Sequence, residues 1–209
     1  VPTAKDIYEE GDYKYTYNKG DTDTFGTNWS VQVIDKSKET YETIITSVAG
    51  KPVTHMFYTY GNCVNLVEAP AIPNGIVSME CAFINCSKLD ITPNIPDTVV
   101  NLSEAFENCT LLTTIQNIPK NAVNLYKAFA GCSNISEINI IIPKSADCIS
   151  MTFYNCTNLT GTIEIHTNTV NDLSWCFKGT TKSIRLTGSS TRLDELAATS
   201  SKGNVTVAQ

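Results

Sequence analysis

The chain has 209 residues, 42% of them hydrophobic and 17% charged, and 15 Lys+Arg against 21 Asp+Glu give a formal net charge of −6. That size and apolar content can bury a core, which excludes the low-hydrophobicity, high-charge signature of intrinsic disorder. Basic residues form no cluster, which disfavours nucleic acid and anionic membrane as partners, and no apolar run approaches the roughly 18–20 residues of a membrane helix.

Val1-Pro2-Thr3-Ala4 opens the chain without a starting Met or an apolar leader run, as expected of a processed or trimmed polypeptide. Residues 1–49 read as β. Tyr13-Lys14-Tyr15-Thr16-Tyr17 alternates, Asn18-Lys19-Gly20 is a turn, and Trp29 to Ile34 and Tyr41 to Ile45 are further strand candidates. This segment is expected to be an N-terminal β cap holding at most a degenerate coil; a separate small domain is the alternative. Asp21-Thr22-Asp23-Thr24-Phe25-Gly26 resembles the start of a calcium loop. Phe25 stands at a ligand position, however, and Gln32 where the closing Glu is required, so a solvated turn is expected.

A repeat then dominates the chain. Ala105-Phe106-Glu107-Asn108-Cys109-Thr110 recurs as Ala82-Phe83-Ile84-Asn85-Cys86-Ser87, as Ala128-Phe129-Ala130-Gly131-Cys132-Ser133 and as Thr152-Phe153-Tyr154-Asn155-Cys156-Thr157. Thr59-Tyr60-Gly61-Asn62-Cys63 precedes these copies, and a worn Cys176-Phe177-Lys178-Gly179-Thr180 follows them. The aromatics at 60, 83, 106, 129, 153 and 177 are spaced by 23, 23, 23, 24 and 24 residues. Four residues before each stand Met56, Met79, Leu102, Leu125, Ile149 and Leu173; six after stand Leu66, Leu89, Leu112, Ile135 and Leu159, and twelve after stand Ile72, Ile95, Ile118, Ile141 and Ile165. A fixed period with aligned apolar columns specifies a solenoid, since one coil cannot bury its apolar side alone. Each coil has room for one or two short strands and a tight 3₁₀ or helical turn. One strand is expected at Leu-x-x-Ile, as in Leu112 to Asn117, ended by the proline that follows; a second extended run, such as Val99 to Leu102, leads into the turn. Beyond the array, Ser190 to Ala198 reads as a Ser- or Thr-capped helix, Gly203-Asn204 as its stop and Val205 to Val207 as a last strand.

The pattern "apolar-x-x-Ala-Phe-x-Asn-Cys-x-x-Leu-x-x-Ile-x-x-Ile-Pro", with Gly50-Lys51-Pro52-Val53-Thr54 before it, resembles the BspA-like leucine-rich repeats of bacterial cell-surface proteins. The likeness spans about Gly50 to Leu186. It departs at Pro93, at the one-residue insertions of the later coils, and in the last copy, where Gly179-Thr180 replaces Asn-Cys. The expected fold is an α/β solenoid, a right-handed leucine-rich-repeat superhelix of short parallel strands with a β-rich N-terminal cap and a helix-plus-strand C-terminal cap. The expected divisions are 1–49, 50–186 and 187–209. The resemblance implies a secreted or surface-anchored bacterial protein, extracellular in location and adhesive in role.

Cys63, Cys86, Cys109, Cys132 and Cys156 are expected to form a ladder of buried thiols about 4.8 Å apart. Parallel Cβ vectors disfavour bridging, and a buried thiol acts as a small hydrophobe. Cys81, Cys148 and Cys176 lie off the ladder and could pair or stay free. The asparagines Asn62, Asn85, Asn108 and Asn155 are expected to face inward at a corner and satisfy turn backbone. No zinc spacing, phosphate loop or nucleophile elbow occurs, and His55 and His166 lie far apart, so no enzyme activity, metal or cofactor is expected.

Residues between the apolar positions of each strand must point outward. Coil by coil these are Glu68, Asp90, Thr92, Thr114, Gln116, Glu137, Asn139, Glu164, His166 and Arg185. They are expected to form a polar, mostly acidic stripe roughly 25 Å long. The reading is a monomeric, non-catalytic scaffold that binds a protein, host or extracellular-matrix proteins included. A structural spacer of a larger surface protein and a glycan-binding module are the alternatives. Exposed aromatics would favour glycan, with Tyr8, Tyr13, Tyr15, Tyr17 and Trp29 as the candidates.

Overall fold

The structure is a computed structural model that describes residues 6–19, 27–167 and 170–208. The calcium-loop look-alike Asp21 to Gly26 lies outside the described residues, as does Gly20 of the expected turn. Three antiparallel strands open the described chain: β1 (Ile7–Glu10), β2 (Tyr13–Lys19) and β3 (Thr27–Val33). Strand β3 pairs in parallel with β5 (Lys51–His55), and β4 (Ser47–Val48) closes the sheet in the order β1-β2-β3-β5-β4. The period-2 tyrosines read from the sequence do what alternation dictates. Tyr13, Tyr15 and Tyr17 all point into the core, opposite Val33, Val31 and Trp29.

Tyr41 to Ile45 is not a strand. Its backbone groups are taken by side chains instead of a ladder: Glu42 N–H donates to Asp12 Oδ2 (3.1 Å) and Ile45 N–H to the Tyr15 hydroxyl (3.2 Å), while Tyr13 donates to Glu42 O.

From Met56 onward the chain winds in stacked coils. The rings of Tyr60, Phe83, Phe106, Phe129, Phe153 and Phe177 form one column, with successive centroids 4.8, 5.2, 5.5, 5.8 and 5.8 Å apart and neighbouring planes within 14°. Each corner is a run of consecutive β-turns, and the only α-helix among the described residues lies in the C-terminal cap. Two positions per corner have positive φ, two residues before and two after the aromatic, as at Glu104 (55°) and Asn108 (60°). Asn tolerates the left-handed region better than most residues, and Gly131 and Gly179 take the same place in two other coils. Corner N–H groups point toward the following coil. Met56, Tyr58, Tyr60 and Asn62 donate to the carbonyls of Ser78, Glu80, Ala82 and Ile84 at 2.7–3.1 Å.

That polarity leaves carbonyls open at one end and N–H groups at the other, and the caps meet both. Val33 N–H donates to Thr59 O (3.2 Å) and Lys36 Nζ to Gly61 O; at the far end Thr199 Oγ1 accepts from Phe177 N–H (3.0 Å). Tyr60 stands where the other coils have Phe because its hydroxyl meets that of Tyr13 (2.7 Å) beneath the cap. Tyr60→Phe is therefore expected to lower stability by about 1 kcal/mol in a urea titration, whereas Phe129→Tyr, with no partner at that depth, is expected to cost more.

On the strand side the coils are less uniform than their sequences. Coils two and three share the single bridge Ile91↔Thr114, so the expected strand at Leu112 to Asn117 shrinks to one paired residue. Pro93 cannot donate. Asp90 O takes both Thr113 and Thr114 N–H (2.8 and 3.4 Å), and Thr92 Oγ1 takes Gln116 N–H (2.9 Å), so the coil-to-coil bonds here do not follow a regular backbone ladder. The run expected at Val99 to Leu102 is likewise one bridge per coil, in the column His55, Ser78, Asn101, Asn124, Cys148 and Asp172. A continuous parallel sheet begins with β6 (Glu137–Ile142) and runs through β7 (Thr160–Ile165), β8 (Ile184–Thr187) and β9 (Val205–Val207). The extra residue of coil four shifts the isoleucine column. Ile138, Ile140 and Ile142 are buried, whereas Ile141 is turned out and 53% exposed.

The C-terminal helix α1 (Leu193–Ala197) is short and has no side-chain cap. Ser190 is buried and accepts from Arg192 N–H instead (3.2 Å), and β9 follows where the sequence places it.

Candidate interaction surface

Parallel pairing stacks the residues of the strand side into columns that are set by register. Glu137 lies beside Thr160; Asn139, Thr162, Arg185 and Thr206 form one row, and Ile141, Glu164 and Thr187 the next. Of the ten residues expected in the stripe, Glu68, Asp90, Thr114, Gln116, Glu137, Asn139 and Arg185 are exposed, and Glu164 and His166 are half-buried. Thr92 is the exception at 1% exposure. Beside Pro93 its side chain points inward, where its hydroxyl replaces a backbone acceptor.

The face is also less acidic than a list of outward letters implies. His166 Nε2 lies 2.8 Å from Glu164 Oε1, and His166 Nδ1 lies 3.0 Å from Ser189 Oγ. Asp90 Oδ1 accepts from Thr113 Oγ1 (2.6 Å). Exposed Val67, Ile91 and Ile141 punctuate the stripe. Strand alternation counted from the leucine column misses them; Ile91 is the residue bridged to Thr114, and Ile141 owes its exposure to the inserted residue. Two shallow depressions follow the stripe. One is lined by Val67, Glu68, Asp90, Ile91, Pro93 and Gln116, the other by Glu137, Asn139, Gly161 and Thr162.

On the corner side the five ladder cysteines are buried, and all eight cysteines are free. Each thiol from the second coil onward donates to the carbonyl of the preceding coil's aromatic. Cys86, Cys109, Cys132 and Cys156 Sγ lie 3.1, 3.1, 3.0 and 3.0 Å from the oxygens of Tyr60, Phe83, Phe106 and Phe129. The cysteine is thus a small apolar filler that also carries one weak donor, a role the repeat alone does not disclose. The off-ladder thiols are unpaired too, and Cys176 fills the small-residue position that Ala or Thr takes in other coils.

Burial pushes the Cys109 and Cys176 thiols up to about 12 and raises Cys86, Cys132 and Cys156 as well. The sign for stability follows. Unfolded thiols ionise near their ordinary value while folded ones resist, so the stabilisation present below that value is lost as pH rises toward the folded values. The urea midpoint is expected to fall between about pH 8 and about pH 10, and a thiol reagent is expected to reach the ladder only after denaturant is added. Rapid labelling of Cys109 and Cys132 in the folded protein would contradict both.

The corner asparagines do not face inward. Asn62, Asn108 and Asn155 are exposed and Asn85 is half-buried; Asn85 Nδ2 donates to Asn62 Oδ1 (2.8 Å) and Asn108 Nδ2 to Asn85 Oδ1 (3.1 Å). The cap aromatics Tyr13, Tyr15, Tyr17 and Trp29 are buried, which leaves only Tyr8 of the expected glycan candidates at the surface. An exposed indole stands elsewhere, at Trp175 on the corner of the last coil. Among the described residues no three His, Cys, Asp or Glu side chains are placed to hold a metal ion, and no helix is long and apolar enough to cross a membrane.

Six copies of the BspA type leucine rich repeat region match residues 56–182. Among solved structures, a leucine rich repeat protein of T. pallidum is similar at 17% identity and a TM-score of 0.61, over 85% of this chain and 83% of that one. A leucine-rich repeat protein from Bacteroides ovatus ATCC 8483 aligns at 13% identity and a TM-score of 0.36, over 96% of this chain and 76% of that one. At 17% identity the first likeness speaks to the fold alone. No curated protein sequence matches the chain.

Proposed function

We propose that this chain, which belongs to the BspA type leucine-rich repeat family, is a non-catalytic scaffold that holds a protein partner on its strand face. One observation carries the reading: side chains from successive coils emerge on one wall, in register from β6 to β8, with carboxylates at Glu68, Asp90 and Glu137 and exposed Val67, Ile91 and Ile141 along it. A solenoid presents such a wall as an extended surface whose positions are fixed by the backbone. The mixture of apolar side chains with a polar rim is the composition of a protein-binding patch. Burial of the ladder thiols with raised pKa argues against a nucleophilic role for them. On this reading the protein works outside a bacterial cell or at its surface, in adhesion, with residues 1–49 and 187–209 as caps to the array 50–186.

The test is binding of the isolated chain to an array of purified extracellular proteins and glycans, repeated with Glu68→Lys/Glu137→Lys/Glu164→Lys. A protein captured by the parent chain should lose about tenfold or more in affinity in the triple variant. Unchanged affinity would remove the strand face as the contact surface, and capture of nothing by the parent would favour a spacer.

A further inference from the structure

In the two coils that carry Phe153 and Phe177, four side chains form a two-by-two tile on the outside of the aromatic corner. Met151 and Trp175 occupy one column and Tyr154 and Lys178 the next. The coils are joined there by Met151 N–H to Ser174 O (2.9 Å) and Asn155 N–H to Lys178 O (2.8 Å). Trp175 is 53% exposed, so its indole contributes little to the core. Its φ is +57°, a conformation costly for a bulky residue. The same column holds Tyr58, Cys81, Glu104, Lys127 and Met151 in the other coils, all at positive φ, so the fold needs the dihedral there but not the indole. Packing therefore gives no reason for a Trp at this place.

Lys178 Nζ sits 4.3 Å from the centroid of the Trp175 ring, within cation–π range. Among the described residues no carboxylate forms an ion pair with Lys178, whereas Lys127, two coils earlier, is paired with Glu107 (3.4 Å). The tile thus offers a flat apolar ring and, among the described residues, an ammonium with no paired carboxylate, on backbone fixed by coil-to-coil bonds. No branched aliphatic side chain belongs to it. Ring C–H faces pack on an indole, and a carboxylate answers the ammonium. We infer that this corner is a subsite for an acidic glycan, a chain of uronic-acid sugars, whose ring stacks on Trp175 and whose carboxylate pairs with Lys178. The tile lies apart from the carboxylate-bearing strand face, so the site stands independently of the protein partner proposed there.

Two tryptophans make the test direct, because Trp29 is buried and quenching by acrylamide reads Trp175. Short oligogalacturonate is expected to shield Trp175 from acrylamide, and the neutral oligogalactoside of equal length to do so about tenfold more weakly. In calorimetry Lys178→Met is expected to weaken oligogalacturonate binding about tenfold, and Trp175→Ala to abolish it; both substitutions are at the surface and should leave the circular dichroism unchanged. Equal shielding by the neutral oligomer would overturn the acidic assignment. Absence of shielding by either oligomer, or unchanged binding to Trp175→Ala, would overturn the site.

Discussion

Phe106→Ala is expected to destabilise the protein by about 3–5 kcal/mol, the range of a fully buried aromatic whose neighbours cannot collapse into the space. Phe106 has no exposed surface and lies between Phe83 (5.2 Å) and Phe129 (5.5 Å), with planes within 4° of both. Coil spacing is fixed by backbone bonds on both sides of the ring, such as Phe83 N–H to Ala105 O and Phe106 N–H to Ala128 O, so the gap stays open. A solenoid holds together through nearest-neighbour interfaces, and the loss falls on two of them at once. Urea unfolding is expected to show an earlier midpoint and a broader or split transition as the two halves uncouple. A loss below about 1 kcal/mol, the range of a surface change, would mean that the rings are not a packed column. Phe106→Leu, which keeps most of the volume, should lie between the two.

The second large effect is expected at Gly161→Ala. Gly161 lies inside β7 with φ +108°, and a Cβ there would come 2.2 Å from Ile138 O and 2.8 Å from Ile138 N on the paired strand β6. Both obstacles are backbone, so no side-chain rotation relieves the clash. Either β7 moves away from β6 or the residue leaves its conformation, and a cost of about 3 kcal/mol or more follows from dihedral strain together with lost ladder bonds. The neighbouring Thr162→Ala is the control, expected to stay within about 0.5 kcal/mol because no clash is created. Hydrogen exchange should locate the damage. Amides of β6 and β7 are expected to lose protection while those of the N-terminal sheet keep it, and uniform loss across the chain would contradict a local effect.

The repeat columns were readable because a solenoid makes sequence period and spatial neighbourhood the same thing. Phe83, Phe106 and Phe129 are 23 residues apart in the chain and about one strand spacing apart in space. The alternation of Tyr13, Tyr15 and Tyr17 declared its face for an equally simple reason, that period 2 is the strand's own. What failed were the places where one residue does something other than its column. Thr92 turns inward beside a proline, Ile141 turns outward after an insertion, and Tyr41 to Ile45 gives its N–H groups to Asp12 and Tyr15 instead of a strand. The first and last of these depend on hydrogen-bond partners 24 and 30 positions away that no local pattern names.

Amino-acid order by itself determined that this chain winds, how long each turn of it is, which aromatics stack, and that its cysteines and asparagines belong to corners. Only the tertiary structure decided which outward letters share a wall, that the parallel sheet begins at Glu137, which way the asparagines face, and that Trp175 and Lys178 meet at the surface. The physical reason is that burial of apolar columns is set by composition at each position and is additive along the array. Register and exposure depend instead on where each backbone donor finds its acceptor, and those choices are made between coils.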